Sequence, residues 1–303
     1  MRLNTYISVM KGKLVFILLF ISQCAIAQRE VLYSQYLVNP LGINPAYAGS
    51  RETFHLTALL RRKWFGVRGA PITQTVSIDG TVAKGQIGLG FQALNDRMGF
   101  YQATGFYGSA AYRFNLPALA KLSVGIQAGV SVLPFLNINS SSPLNQTVSS
   151  FGVGLYYRSD RLFAGISAPE LAGQQIGLGV QSFNVRPVMM QVGAPINVGE
   201  NTRLIPSVMV SKIKDRPVGF DLNLRAWFNQ QIGLGISYRQ NSPGLVQTNY
   251  LQALAEVQVS KSIRLGYIFN SQTPENPNAT LYFQPSVHEV MLRFSPNTLT
   301  FTE

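Results

Sequence analysis

The chain is short of cysteine, histidine, acidic residues and long apolar runs, and each shortage removes a class of protein. Cys24 is its only cysteine among 303 residues. It lies in the first 27 residues, behind Gln23 and not the small residue that lipoprotein processing uses. The remainder therefore has no thiol for disulfides, zinc-thiolate sites or cysteine catalysis. Beyond residue 27 no stretch approaches the roughly 18 uninterrupted apolar residues of a spanning helix. Charged residues make up only 13% against 46% hydrophobic, which is poor in charge for a soluble domain of this size. A chain that faces two solvents but has no spanning helix must cross a bilayer with strands.

At the N-terminus Arg2, Lys11 and Lys13 precede the apolar run 14–21, and Ala25-Ile26-Ala27 gives a small-x-small cleavage pattern. We read residues 1–27 as a secretory signal peptide. The formal net charge is +12, yet its basic residues are scattered at strand ends and loops, so no nucleic-acid partner is expected.

From Thr53 onward the period is two. Leu122, Val124, Ile126, Ala128, Val130 and Val132 oppose Ser123, Gly125, Gln127, Gly129 and Ser131. Phe220, Leu222, Leu224 and Phe228 likewise oppose Asp221, Asn223, Arg225 and Trp227. Strands are expected at 53–64, 71–82, 85–95, 102–115, 121–133, 148–158, 161–168, 186–198, 202–213, 217–228, 231–239, 248–259, 262–270 and 286–295. Connectors after every second strand are short, and most of the others are longer. An even number of strands with that alternation predicts an all-β fold: a transmembrane antiparallel β-barrel of 14 strands over residues 53–303, with both termini periplasmic. Residues 176–183 also alternate and are read as part of a long outer loop. Tyr156, Tyr157, Tyr238 and Tyr267 near strand ends suit aromatic girdles.

Few residues invite chemistry. Gly-x-Gly pairs at 88/90, 152/154, 177/179 and 233/235 never complete a nucleotide-binding fingerprint and are assigned to the inward face, where a missing side chain lets something pack closely. His55 and His288 begin the first and last strands, which adjoin in a closed barrel, and so could lie near each other. Glu289 points away from His288, and packing histidines are the expectation rather than a metal site. No Ser-centred elbow or paired-carboxylate cluster stands out, so no enzyme and no cofactor are expected. Asp221, Arg225 and Arg239 on polar faces are candidate lumen-lining residues, either a charged channel wall or interior ion pairs.

The stretch before the first strand is the densest. Ser34-Gln35-Tyr36 leads to Asn39-Pro40, then Asn44-Pro45-Ala46-Tyr47-Ala48-Gly49-Ser50. Two Asn-Pro steps hold the preceding residues extended and remove two donors, which argues against a helix or a central strand. Residues 28–52 are read as an irregular periplasmic lead-in or plug. Tyr36, Asn39, Pro40, Asn44, Pro45 and Tyr47, with Arg61 and Trp64, are its candidate plug or partner-binding residues.

Those motifs, followed by Gly69-Ala70-Pro71, Asn95-Asp96 with Gly99, Tyr156-Tyr157 and His288-Glu289, resemble the PorP/SprF family of type IX secretion outer-membrane proteins. The chain departs from the family's usual pattern at Arg29-Glu30, Lys63 and Asn270. The resemblance implies an outer-membrane barrel, set in lipid, that supports secretion or surface attachment of adhesin-like cargo. It would work with periplasmic PorE-like peptidoglycan-binding components. A small-solute porin or transporter is the alternative if the lumen is open water.

Overall fold

A computed structural model describes residues 35–64, 66–99, 101–135, 144–171, 186–214, 217–240, 249–272 and 286–296. Two single-turn 3-10 helices, Pro40–Gly42 and Pro45–Tyr47, precede the strands. Each begins on a proline, whose fixed φ suits a first helical position and whose missing N–H costs nothing there. Asn44 ahead of the second is extended, and Asn39 ahead of the first is held outside the helical region at φ −137° and ψ 73°. Within residues 35–50 the chain thus forms two turns rather than a long helix.

The strands are β1 (His55–Lys63), β2 (Ile72–Val82), β3 (Ile87–Met98), β4 (Tyr101–Asn115), β5 (Lys121–Phe135), β6 (Leu144–Arg158), β7 (Phe163–Ala168), β8 (Val188–Gly193), β9 (Ile196–Val198), β10 (Thr202–Lys212), β11 (Gly219–Phe228), β12 (Ile232–Gln240), β13 (Tyr250–Gln258), β14 (Ile263–Gln272) and β15 (Ser286–Phe294). β8 and β9 are two parts of one strand. Both pair antiparallel with β10, and the register continues unbroken from Gly193↔Ser207 to Ile196↔Leu204. The gap falls at Pro195, which has no N–H to give the ladder. Neighbouring strands pair throughout, and β15 returns to β1 through pairs such as Leu59↔Met291 and Arg61↔Glu289. The result is a closed antiparallel barrel of 14 strands.

The short turns after β2, β4, β6, β9, β11 and β13 lie at one rim with the start of β1 and the end of β15; at the other rim the β3–β4 turn is short and the remaining connections are longer. The tight turns at Ala83-Lys84 and Asn229-Gln230 place consecutive non-glycine residues at positive φ (53° and 55°; 49° and 58°), which matches the right-handed twist of the flanking strands. Residues 176–183 lie outside the described residues, as do Gly177 and Gly179.

Alternation sorts the wall. Val124, Ile126 and Val130 are exposed on the outside while Ser123, Gln127 and Ser131 are buried inside. Leu222 and Leu224 face out, and Asp221, Asn223, Arg225 and Trp227 face in. A polar inner face and an apolar outer one are what a strand between lumen and hydrocarbon needs.

Two expectations change. Tyr238 and Tyr267 are exposed on the exterior, but Tyr156 is buried in the lumen, because its inward parity outweighs its place near a strand end. The two histidines are also far apart. Adjacent strands run antiparallel, so the start of β1 lies at the short-turn rim and the start of β15 at the long-loop rim, where His288 pairs with Arg62. His55 is buried inside beside Thr53, at 2.7 Å, whereas His288 faces outward against Tyr267, at 2.6 Å.

Candidate functional site

Residues 35–50 fill the barrel from within. Tyr36 and Ala46 have no exposed surface and Tyr47 has 1%, although this segment has almost no regular structure. A buried backbone with few internal partners must find them elsewhere. Here the barrel supplies them. The carbonyl of Leu37 accepts from Arg225 at 3.1 Å, that of Val38 from Arg293, and that of Ile43 from Ser167 at 2.7 Å. Further along, the carbonyls of Ala48 and Ser50 accept from Arg113 at 3.1 Å and Arg158 at 2.6 Å.

The side chains of the plug are held as well. Gln35 donates to Glu289 at 3.1 Å, and the Tyr36 hydroxyl accepts from Asn223 at 2.8 Å. Asn44 serves both its own turn and the wall. Its Oδ1 accepts from the Ala46 N–H at 2.9 Å, capping the second 3-10 turn, and its Nδ2 donates to the Leu155 carbonyl at 3.0 Å. Tyr47 meets Tyr156 edge to face, with centroids 5.3 Å apart.

The wall of β10 to β15 and β1 that faces the plug is charged. Arg239 pairs with Asp221 at 2.6 Å, Arg225 with Glu256 at 2.9 Å, and Arg61 with Glu289 at 3.5 Å, all buried. Arg239 also lies over the Tyr36 ring at 5.3 Å, and Arg264 lies over Trp227 at 4.2 Å. Asp221, Arg225 and Arg239 therefore line the lumen as paired charges directed at the plug. Burying such pairs is costly unless every remaining donor is used, and the plug's Leu37 carbonyl takes one of those of Arg225.

On the wall of β3 to β7 the plug lies against inward glycines. A Cβ on Gly88 would lie 1.9 Å from the Ala48 carbonyl oxygen, and one on Gly125 would lie 2.3 Å from the Ala46 nitrogen. One on Gly154 would meet Asn44 Oδ1 at 2.1 Å. Gly90 receives Leu41, so the inward glycines at 88, 90 and 154 are places of close approach to the plug. Gly152 is instead covered by Pro169, and Gly233 by Trp227. Gly125 belongs to no Gly-x-Gly pair in the sequence reading, but its inward parity on β5 was the signal that could have found it.

The candidate residues thus divide. Tyr36, Asn39, Pro40, Asn44, Pro45 and Tyr47 lie together in the lumen, and Arg61 joins them through Glu289 and Gln35. Trp64 does not; it lies just past β1 at the long-loop rim, its N–H donating to the Ser286 carbonyl at 3.2 Å. Sequence reasoning missed Arg293, Arg113 and Arg158, whose inward parity was legible but whose targets are plug carbonyls, which no side-chain pattern reveals.

At the short-turn rim the plug ends in Glu52, paired with Lys121. Partial burial pushes its carboxyl up, but the Lys121 hydrogen bond and charge, with Arg158 and Arg113, outweigh this and hold it below its ordinary 4.5.

Comparison with known proteins agrees with this architecture. The family model described as "Type IX secretion system membrane protein PorP/SprF" matches residues 25–294. The chain belongs to that family. It is therefore a type IX secretion outer-membrane barrel. No curated protein matches. Among solved structures, the Acinetobacter baumannii outer membrane protein Omp33 is 9% identical, with a TM-score of 0.52 over 80% of this chain and 98% of that one. A deltaS2 mutant of the TodX monoaromatic hydrocarbon channel is 8% identical, with a TM-score of 0.54 over 84% of this chain and 93% of that one. The CymD monoaromatic hydrocarbon channel is 10% identical, with a TM-score of 0.52 over 89% and 93%. At these identities the likeness is one of fold.

Proposed function

We propose that this PorP/SprF barrel acts by binding and not by catalysis or solute conduction, supporting the secretion or surface attachment of adhesin-like cargo. The observation that carries the reading is the occupied lumen. Residues 35–50 are bonded to both walls and almost wholly buried, which leaves the rims and loops as the surfaces a partner can reach. In this reading residues 1–27 are removed on export and both termini are periplasmic. The short-turn rim, with Glu52, Lys121 and Arg161, then faces PorE-like peptidoglycan-binding components, and the long loops face cargo. An extended cargo end can gain main-chain hydrogen bonds by strand addition.

Crosslinking in intact cells, followed by purification of the barrel, tests this. A periplasmic envelope protein and a secreted adhesin-like protein should both be recovered with the barrel. Recovery of neither, together with large stable single-channel currents from the purified whole chain, would overturn the proposal in favour of a small-solute porin.

A further inference from the structure

Among the described residues, the charges exposed on the exterior of the long-loop rim are of one sign. Among the described residues, Arg62, Arg68, Arg97, Arg186, Lys212 and Lys214 are exposed there. The described acidic side chains near that rim are turned inward or covered: Asp96 accepts from Thr73 at 2.6 Å, and Glu170 is buried.

Within this rim the sector formed by β1 to β4 differs from that formed by β12 and β13. Arg62, Ile72, Arg97 and Gln102 stand in one register row across four adjacent strands. All four point outward by the strand alternation. The two arginines are two strand spacings apart, about 10 Å. The next outward row toward the mid-membrane is Leu60, Gln74, Asn95 and Thr104, in which Asn95 donates to Thr104 at 2.9 Å. Only below it do Val76 and Phe106 resume the apolar belt, Phe106 stacked on Phe91 with centroids 6.4 Å apart. On β12 and β13 the corresponding outer positions, Tyr238 and Leu251, are already hydrophobic.

Two guanidinium groups, then neutral hydrogen-bonding amides, then an apolar surface is the order of groups in a phosphorylated glycolipid met end on. Guanidinium binds phosphate with paired, charge-assisted hydrogen bonds, amides suit sugar hydroxyls, and acyl chains pack on Leu60, Val76 and the two phenylalanines. We propose that the outward face of β1 to β4 at the long-loop rim binds the phosphorylated glycolipid of the outer leaflet. Arg62 and Arg97 take its phosphates, and Gln74 and Gln102 its sugar hydroxyls. This rests on the long-loop rim facing outward, as in the functional reading above.

Native mass spectrometry of the purified whole chain in detergent tests it, with lipid A, lipid A stripped of phosphate, and phosphatidylglycerol as probes. Phosphorylated lipid A should bind about tenfold better than either other lipid, and an Arg62→Gln, Arg97→Gln double variant should lose about that preference. Arg161→Gln, at the opposite rim, should keep it. Equal binding of lipid A with and without phosphate, equal binding of phosphatidylglycerol, or an unchanged double variant would overturn the proposal. The lipid comparison needs only the wild type and survives a variant that fails to fold. Orientation is read separately by a membrane-impermeant maleimide on intact cells, which should label Lys214→Cys and not Asp160→Cys. The reverse labelling would remove the orientation and the lipid assignment with it, whereas correct labelling without lipid preference would remove the lipid assignment alone.

Discussion

The two halves of the lumen wall hold the same plug by opposite means. From β3 to β7 the wall recedes: Gly88 and Gly125 let the backbone at Ala48 and Ala46 lie directly on the strands, and Gly90 and Gly154 receive the side chains of Leu41 and Asn44. From β10 round to β1 it advances, with Arg225, Arg239 and Arg293 reaching across to the carbonyls and side chains of residues 36–38, and Arg61 pairing with the Glu289 that accepts from Gln35. The first half selects the plug mainly by shape, with Arg113 and Arg158 bonding the Ala48 and Ser50 carbonyls toward the short-turn rim, and the second mainly by charge. Shape is unforgiving of one added methyl group, since close-packed backbone cannot yield, while charge is unforgiving of one lost partner.

That contrast can be broken from either side. The largest effect is expected on the charged half. Arg225→Met strands Glu256 in a buried site and removes the donor to Leu37, at a cost of about 3–5 kcal/mol. The double variant Arg225→Met, Glu256→Leu should recover most of it. Urea unfolding in detergent measures both, and a double variant as unstable as the single would show that the pair matters only through its size. On the shape half, Gly125→Ala should cost about 1–3 kcal/mol and expose residues 41–48 to protease, because the new Cβ overlaps Ala46. Unchanged protection would mean that the plug does not lie on β5.

A single cap comes next. Asn44→Ala loses the turn's N-cap and the bond to Leu155, about 1 kcal/mol by the same unfolding measurement, whereas Asn44→Asp should keep the cap. The smallest effect lies at the rim. Because the Glu52 carboxyl is held below its ordinary value in the folded state, its contribution is present above 4.5 and is lost as the pH falls through the lowered value. Protease nicking near residue 52 should therefore rise on acidification below pH 4.5, and Glu52→Gln should remove that dependence.

The barrel was legible because period-two alternation is a local signal that every strand repeats. All 14 expected strands are present, with ends shifted by a few residues, and only the Pro195 interruption divides one of them. The lumen charges Asp221, Arg225 and Arg239 could be placed inward by parity alone. What parity could not show was the addressee of each side chain. Tyr156 has the parity of the lumen and the strand-end position of a girdle residue, and only the presence of Tyr47 beside it decides between them. The arginines that bind plug carbonyls were hidden for a related reason. A carbonyl exists at every residue, so a donor aimed at one leaves no trace in the acceptor's sequence.

The central claim is that residues 35–50 occupy the lumen, and single-channel recording in a planar bilayer addresses it most directly. The account expects the whole chain to be nearly silent and the chain lacking residues 35–50 to give large, stable currents. Large currents from the whole chain, unchanged when those residues are removed, would contradict it.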